Sequence, residues 1–81
     1  MSDIAEISPD ETLDTNGLSC PMPLLKTKRA LTVMETGKIL EVLGTDPGSI
    51  NDIPNWCKRS GNSFLYLMED AGHFKIYIQK N

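Results

Sequence analysis

The chain has 81 residues, 40% of them apolar, and a formal charge of −3. A single domain of this size buries about 60–65% of its unfolded surface, enough for one layer of helices on one sheet. The acidic balance argues against direct nucleic-acid binding. No apolar run approaches the ~20 residues of a membrane span, and the first eleven residues hold no apolar signal-peptide core, so the expected location is cytoplasmic.

Residues 1–9 are polar without a clear period and read as a flexible tail, leaving 10–81 as a single domain. Residues 11–15 suit a short first strand with Leu13 turned inward, and 16–19 form a connection. From Pro21 to about Glu35, Leu24, Thr27, Leu31 and Met34 recur at helical spacing, with Ala30 beside them. Lys26 and Arg29 project from the far side, and Lys28 lies at the margin of the stripe, where its ammonium can snorkel outward. Gly37 suits a left-handed helix cap.

Residues 38–45 are rich in β-formers, with Leu40 and Val42 on one face and Ile39 and Leu43 on the other. In "TDPGS", Asp46 is a natural N-cap and Pro47 a natural first helical residue. Ile50, Ile53 and Cys57 then make a core stripe with Trp56 adjoining. Pro54 is expected to kink or shorten this second helix, and Gly61 to end it. Two alternating runs, 63–70 and 73–80, are joined by "AG" and read as a hairpin, with Phe74, Ile76 and Ile78 on one face and Lys75 and Tyr77 on the other. The order β-α-β-α-β-β predicts an α/β (α+β) two-layer sandwich, both helices covering one face of a four-stranded sheet.

Chemistry concentrates at Cys20, in "GLSCPMPLL" (17–25). Cys20 is expected at the N-cap, with Pro21 at the first helical position and Pro23 two residues on. The prolines stiffen the turn and remove two N–H donors from it. The positive end of a helix favours a thiolate, and Lys26, Lys28 and Arg29 add to that potential while Asp14 opposes it. The net expectation is a thiol that titrates below its free value.

Complex chemistry lacks its parts. There is no Cys-x-x-Cys, and His73 is the only histidine, 53 positions from Cys20. Cys20, Cys57 and His73 lack metal-ligand spacing, and no glycine-rich nucleotide motif occurs, so neither metal nor organic cofactor is called for. A lone accessible thiolate can still take a sulfane sulfur and surrender it to another thiol, by steps that resemble thiol–disulfide exchange. The plain alternative makes Cys20 a small filler at a helix start. Cys57 reads as a core residue, with an auxiliary sulfur or redox role as the alternative. Lys26, Lys28, Arg29, Lys58 and Arg59 form two cationic clusters, either solvated surface or docking sites for an acidic partner.

The stretch 13–31, with its Asp-x-x-Gly-Leu-x-Cys-Pro-x-Pro core, resembles the signature of the TusA/SirA-type sulfur carriers. Residues 45–62, an Asp-Pro turn leading into Asp-Ile-Pro, resemble that family's second segment. The resemblance implies a mixed sheet, a persulfide on Cys20, and an active loop shaped by Asp14, Gly17, Leu18, Pro21 and Pro23. It also implies two protein partners: a cysteine desulfurase or rhodanese-like donor, and an acceptor in tRNA thiolation, sulfur oxidation or molybdenum-cofactor pathways. Ser19 and Met22 occupy variable slots of the motif. Two competing readings remain, a non-catalytic regulatory or binding module and a redox sensor pairing Cys20 with Cys57.

Overall fold

Alternation along two central strands builds the floor of the core. In the computed structural model, which describes residues 8–81, the elements are β1 (Glu11–Thr15), α1 (Met22–Val33), β2 (Ile39–Gly44), α2 (Ser49–Ser60), β3 (Ser63–Asp70) and β4 (His73–Gln79). The tail predicted over 1–9 lies outside the described residues except for Ser8 and Pro9. The sheet order is β1-β2-β4-β3; β1 runs parallel to β2, and β4 runs antiparallel to both β2 and β3. The sheet is therefore mixed, with β4 inserted between the two strands that α2 connects.

Leu40 and Val42 of β2 and Phe74, Ile76 and Ile78 of β4 are buried on one face, where Leu31 of α1 and Ile53 and Cys57 of α2 close over them. Burying an Ile or Leu side chain contributes about 1.5–3 kcal/mol relative to leaving it in water. One apolar stripe per helix against one sheet face accounts for the two-layer α/β arrangement predicted from the sequence.

Three local expectations are corrected. First, α1 ends at Val33 with an extended Met34, and Gly37 (φ 92°) lies in the following turn rather than at the cap. The Lys80 ammonium, from beyond β4, instead bonds the Leu31 carbonyl at this helix end. Second, α2 is not cut short at Pro54; it continues to Ser60 and closes on Gly61 (φ 85°), whose N–H donates to the Cys57 carbonyl. The core stripe Ile50, Ile53 and Cys57 outweighs the one backbone bond that proline removes. Third, α2 begins at Ser49, so Pro47 lies in the preceding turn.

Tyr77, on the outer face, is nevertheless buried. Its hydroxyl donates to Glu41 Oε2 at 2.6 Å, and Thr12 Oγ1 donates to Glu41 Oε1 at 3.0 Å. The bond to Glu41, helped by burial, pushes the Tyr77 phenol up to about 12.

At the other end of β2, Gly44 aligns with Thr15 of β1 and Phe74 of β4. A Cβ at Gly44 would collide with the Phe74 ring and come within 2.7 Å of Thr15 Oγ1. The absent side chain lets the ring lie across the strand.

Gly44→Ala should therefore destabilise the fold by about 1–3 kcal/mol, the usual cost of overpacking, read by urea denaturation. Tyr77→Phe should cost about 1 kcal/mol at neutral pH. Because folding raises this phenol's pKa, its contribution is complete below the unfolded value of ~10. That contribution is lost as pH rises through about 12. The stability gap between parent and Tyr77→Phe should close over that interval.

Candidate functional site

Parallel pairing brings the ends of β1 and β2 to the same edge of the sheet, in the register Thr15↔Gly44. The chain leaves both strands there into a helix, so the loops 16–21 and 45–48 are neighbours. Buried Thr15 anchors the first, its hydroxyl donating to the Leu43 carbonyl at 2.6 Å. Asp14 Oδ1 accepts the Asn16 N–H at 2.9 Å, and half-buried Leu18 donates its N–H to the Thr15 carbonyl at 3.1 Å. Gly17 (φ 83°) donates its N–H to Thr45 Oγ1 at 3.0 Å, tying one loop to the other. The left-handed backbone at Gly17 disfavours any residue with a Cβ.

Cys20 is exposed at the end of this tied loop, joined to Pro21 by a cis peptide. The helix start differs from expectation. Pro21 occupies the cap position with non-helical angles and Pro23 lies in the first turn, so Cys20 precedes the cap rather than forming it. No side chain caps α1; the Met22 N–H donates to the Ser19 carbonyl at 2.9 Å and the Leu25 N–H to the Pro21 carbonyl at 3.1 Å. Pro23 has no N–H to offer and is buried. The turn thus spends the Met22 N–H on a carbonyl and has none at Pro23, which leaves fewer first-turn donors to stabilise a thiolate.

The second loop supplies the opposite charge. Asp46 is not the N-cap expected, since Gly48 holds that position, but from two residues earlier its Oδ2 accepts from the Ser49 N–H at 3.1 Å and from Ser49 Oγ at 2.9 Å. Asp52, in the first turn of α2, accepts the Cys20 Sγ–H through Oδ2 at 3.8 Å. The Cys20 thiol is raised above its ordinary value, by desolvation first, then by the charges of Asp52 and Asp46, and by the hydrogen bond to Asp52. The predicted downward shift is overturned. The carboxylates of Asp52 and Asp46 raise it, and Lys26, Lys28 and Arg29 take no part in the shift.

The Lys28 ammonium sits 5.8 Å from the centroid of the Trp56 ring on α2, a cation–π approach. Lys26 is half-buried and Arg29 exposed; Lys58 and Arg59 are exposed in the last turn of α2. That turn lies about 10 Å along the helix axis from Asp52. Met22 and Leu25 are 42% and 44% exposed on α1, giving the surface beside Cys20 an apolar component.

Cys57 is wholly buried in the core, and burial pushes its thiol up to about 11. Cys20 finds its hydrogen-bond partner in Asp52, not in His73. Among the described residues, no group of three or more His, Cys, Asp or Glu side chains could hold a metal ion, and no helix is long and apolar enough to cross a membrane. Sequence reasoning missed Asp52 and Thr45. The available signal was the parallel β-α arrangement itself, which places the starts of both helices at one edge of the sheet.

Comparison with known proteins places the chain in a family. The profile of the family described as Sulfurtransferase TusA matches residues 11–80. The sulfur carrier protein TusA of Allochromatium vinosum is 40% identical over 72 residues, covering 89% of this chain and 95% of its own. TusA of Pseudomonas putida is 36% identical over 77 residues, covering 95% and 96%. The crystal structure of a SirA-like protein from Desulfitobacterium hafniense superposes with a TM-score of 0.74 at 28% identity, covering 85% of this chain and 95% of that one. The chain belongs to the TusA/SirA family of sulfur carriers.

Proposed function

We propose that Cys20 is the residue that carries sulfur in this protein, as a persulfide received from one protein and passed to another. The supporting observation is an exposed thiol held on a loop pinned to both β1 and the β2–α2 connection, with Met22 and Leu25 open beside it. After Cys20 loses its proton to water, its thiolate attacks the outer sulfur of a donor Cys–S–SH. The new Cys20–S bond forms as the donor's S–S bond breaks, and the donor cysteine leaves as a thiolate. The acceptor thiolate repeats the exchange on the outer sulfur of Cys20–S–SH, and Cys20 is the leaving group. No net oxidation occurs, and neither step needs a metal or organic cofactor.

A donor of the desulfurase or rhodanese type and a thiol-bearing acceptor fit this exchange. The exposed apolar pair and the cations Lys26, Lys28, Arg29, Lys58 and Arg59 suit partners with acidic, partly apolar surfaces. A sensor bridging Cys20 to Cys57 has less support, because Cys57 would have to leave the core to react.

Incubation with a cysteine desulfurase and cysteine should add one sulfur atom, about 32 Da by intact mass, to Cys20. The adduct should vanish in Cys20→Ser and persist in Cys57→Ala; failure to load from several desulfurases and rhodaneses would refute the carrier role of Cys20. Reversing Lys26, Lys28 and Arg29 to Glu should slow transfer from a protein donor about tenfold at low salt, with the deficit shrinking as salt rises. Unchanged transfer rates would reduce these residues to solvated surface.

A further inference from the structure

We propose that Asp52 is a positioning residue for sulfur transfer, whose carboxylate orients the Cys20 thiol and keeps it protonated between transfers. The inference rests on the reading of Cys20 as the sulfur-bearing residue. Its physical basis is the meeting of two elements far apart in sequence: the loop before α1, which carries the sulfur, and the first turn of α2, which carries the acid.

Cys20 Sγ lies 3.8 Å from Asp52 Oδ2, within the reach of a thiol–carboxylate hydrogen bond. Such a bond exists only with the proton on sulfur; once the thiol ionises, two negative charges face each other across the same gap. Asp46 supplies the second nearby charge. Its carboxylate is held by the N–H and hydroxyl of Ser49, and a Cβ placed on Gly48 would lie 3.4 Å from Asp46 Oδ2 and 3.9 Å from Asp52 Oδ2. The two acids thus converge beside one residue of the β2–α2 loop.

The groups that bear on this sulfur from the surrounding elements are Asp52 on α2 and Asp46 on the β2–α2 loop; the α1 cations Lys26, Lys28 and Arg29 do not offset them. Asp46 is occupied in holding the start of α2, whereas Asp52 directs its bond at the sulfur. That difference assigns the positioning role to Asp52.

The consequence is selective reactivity. A low thiolate fraction slows attack on every free electrophile in proportion. A docked donor presents its sulfur at an effective concentration far above that of any dissolved reagent, so transfer between proteins proceeds where random alkylation or oxidation does not. The carboxylate accepts no proton in the exchange; it sets how often the sulfur is available.

The experiment is the pH profile of Cys20 alkylation by iodoacetamide, followed by intact mass so that only singly modified, folded protein is counted. In the parent the rate should still be climbing beyond the ordinary thiol range of ~8.5. Asp52→Asn should move the profile to lower pH and raise the rate at neutral pH about fivefold, the effect of removing one charge ~4 Å away in a water-like medium. Asp52→Glu should keep the alkaline profile. A second measurement needs no variant: added salt should screen the carboxylates and accelerate alkylation of the parent, with a smaller gain in Asp52→Asn. An Asp52→Asn profile and salt response identical to the parent's would overturn the proposal, as would a parent rate indifferent to salt. No sulfur donor enters these measurements, so a failure of persulfide loading would count against the carrier reading alone.

Discussion

The parallel pairing of β1 with β2 is the constraint on which the site depends. It carries both β-α junctions to one edge of the sheet, so that a loop bearing a thiol and a helix start bearing carboxylates meet although 32 positions separate Cys20 from Asp52. The buried row Thr15, Gly44 and Phe74 lies directly beneath that edge. Thr15 secures the first loop to β2, and the empty side-chain position at Gly44 admits the Phe74 ring. Support of the functional loops is thus continuous with the core.

The sulfur-bearing turn restrains its thiol more than it activates it. A helix N-terminus ordinarily offers unpaired N–H groups to an anion. Here Met22 spends its N–H on the Ser19 carbonyl and Pro23 has none, so fewer are on offer, while Asp46 and Asp52 add negative charge. The prolines hold the sulfur at a defined, exposed place. In the carrier role proposed for Cys20, placement matters more than intrinsic nucleophilicity, because docking supplies proximity.

Much of the fold was legible because its signals are local. A short strand-like stretch, a run rich in β-formers and two alternating runs located the four strands, the hairpin around Ala71 and Gly72 was read from its two-residue turn, and the stripes through Leu31 and through Ile53 and Cys57 marked the buried helix faces. Expectations failed where a weak local preference met a tertiary contact. Pro54 did not shorten α2, because that helix buries a stripe on both sides of the proline. Gly37 did not cap α1, whose end is met by Lys80 from the far end of the chain. Tyr77 faces outward as predicted yet is buried, because Glu41 on the neighbouring strand draws its hydroxyl down.

The sequence by itself determined the element order, the core stripes and the identity of Cys20 as the exceptional residue, since the Cys-Pro-x-Pro spacing and the absence of partner motifs are properties of neighbours along the chain. Tertiary structure alone decided the electrostatic surroundings of that sulfur. The cations of α1 are close in sequence but do not enter that tuning, Lys28 sitting over the Trp56 ring instead, whereas Asp46 and Asp52 are distant in sequence and arrive through strand pairing. Charge acts through space, so the direction in which the thiol is tuned followed from the sheet register and not from the residues beside it.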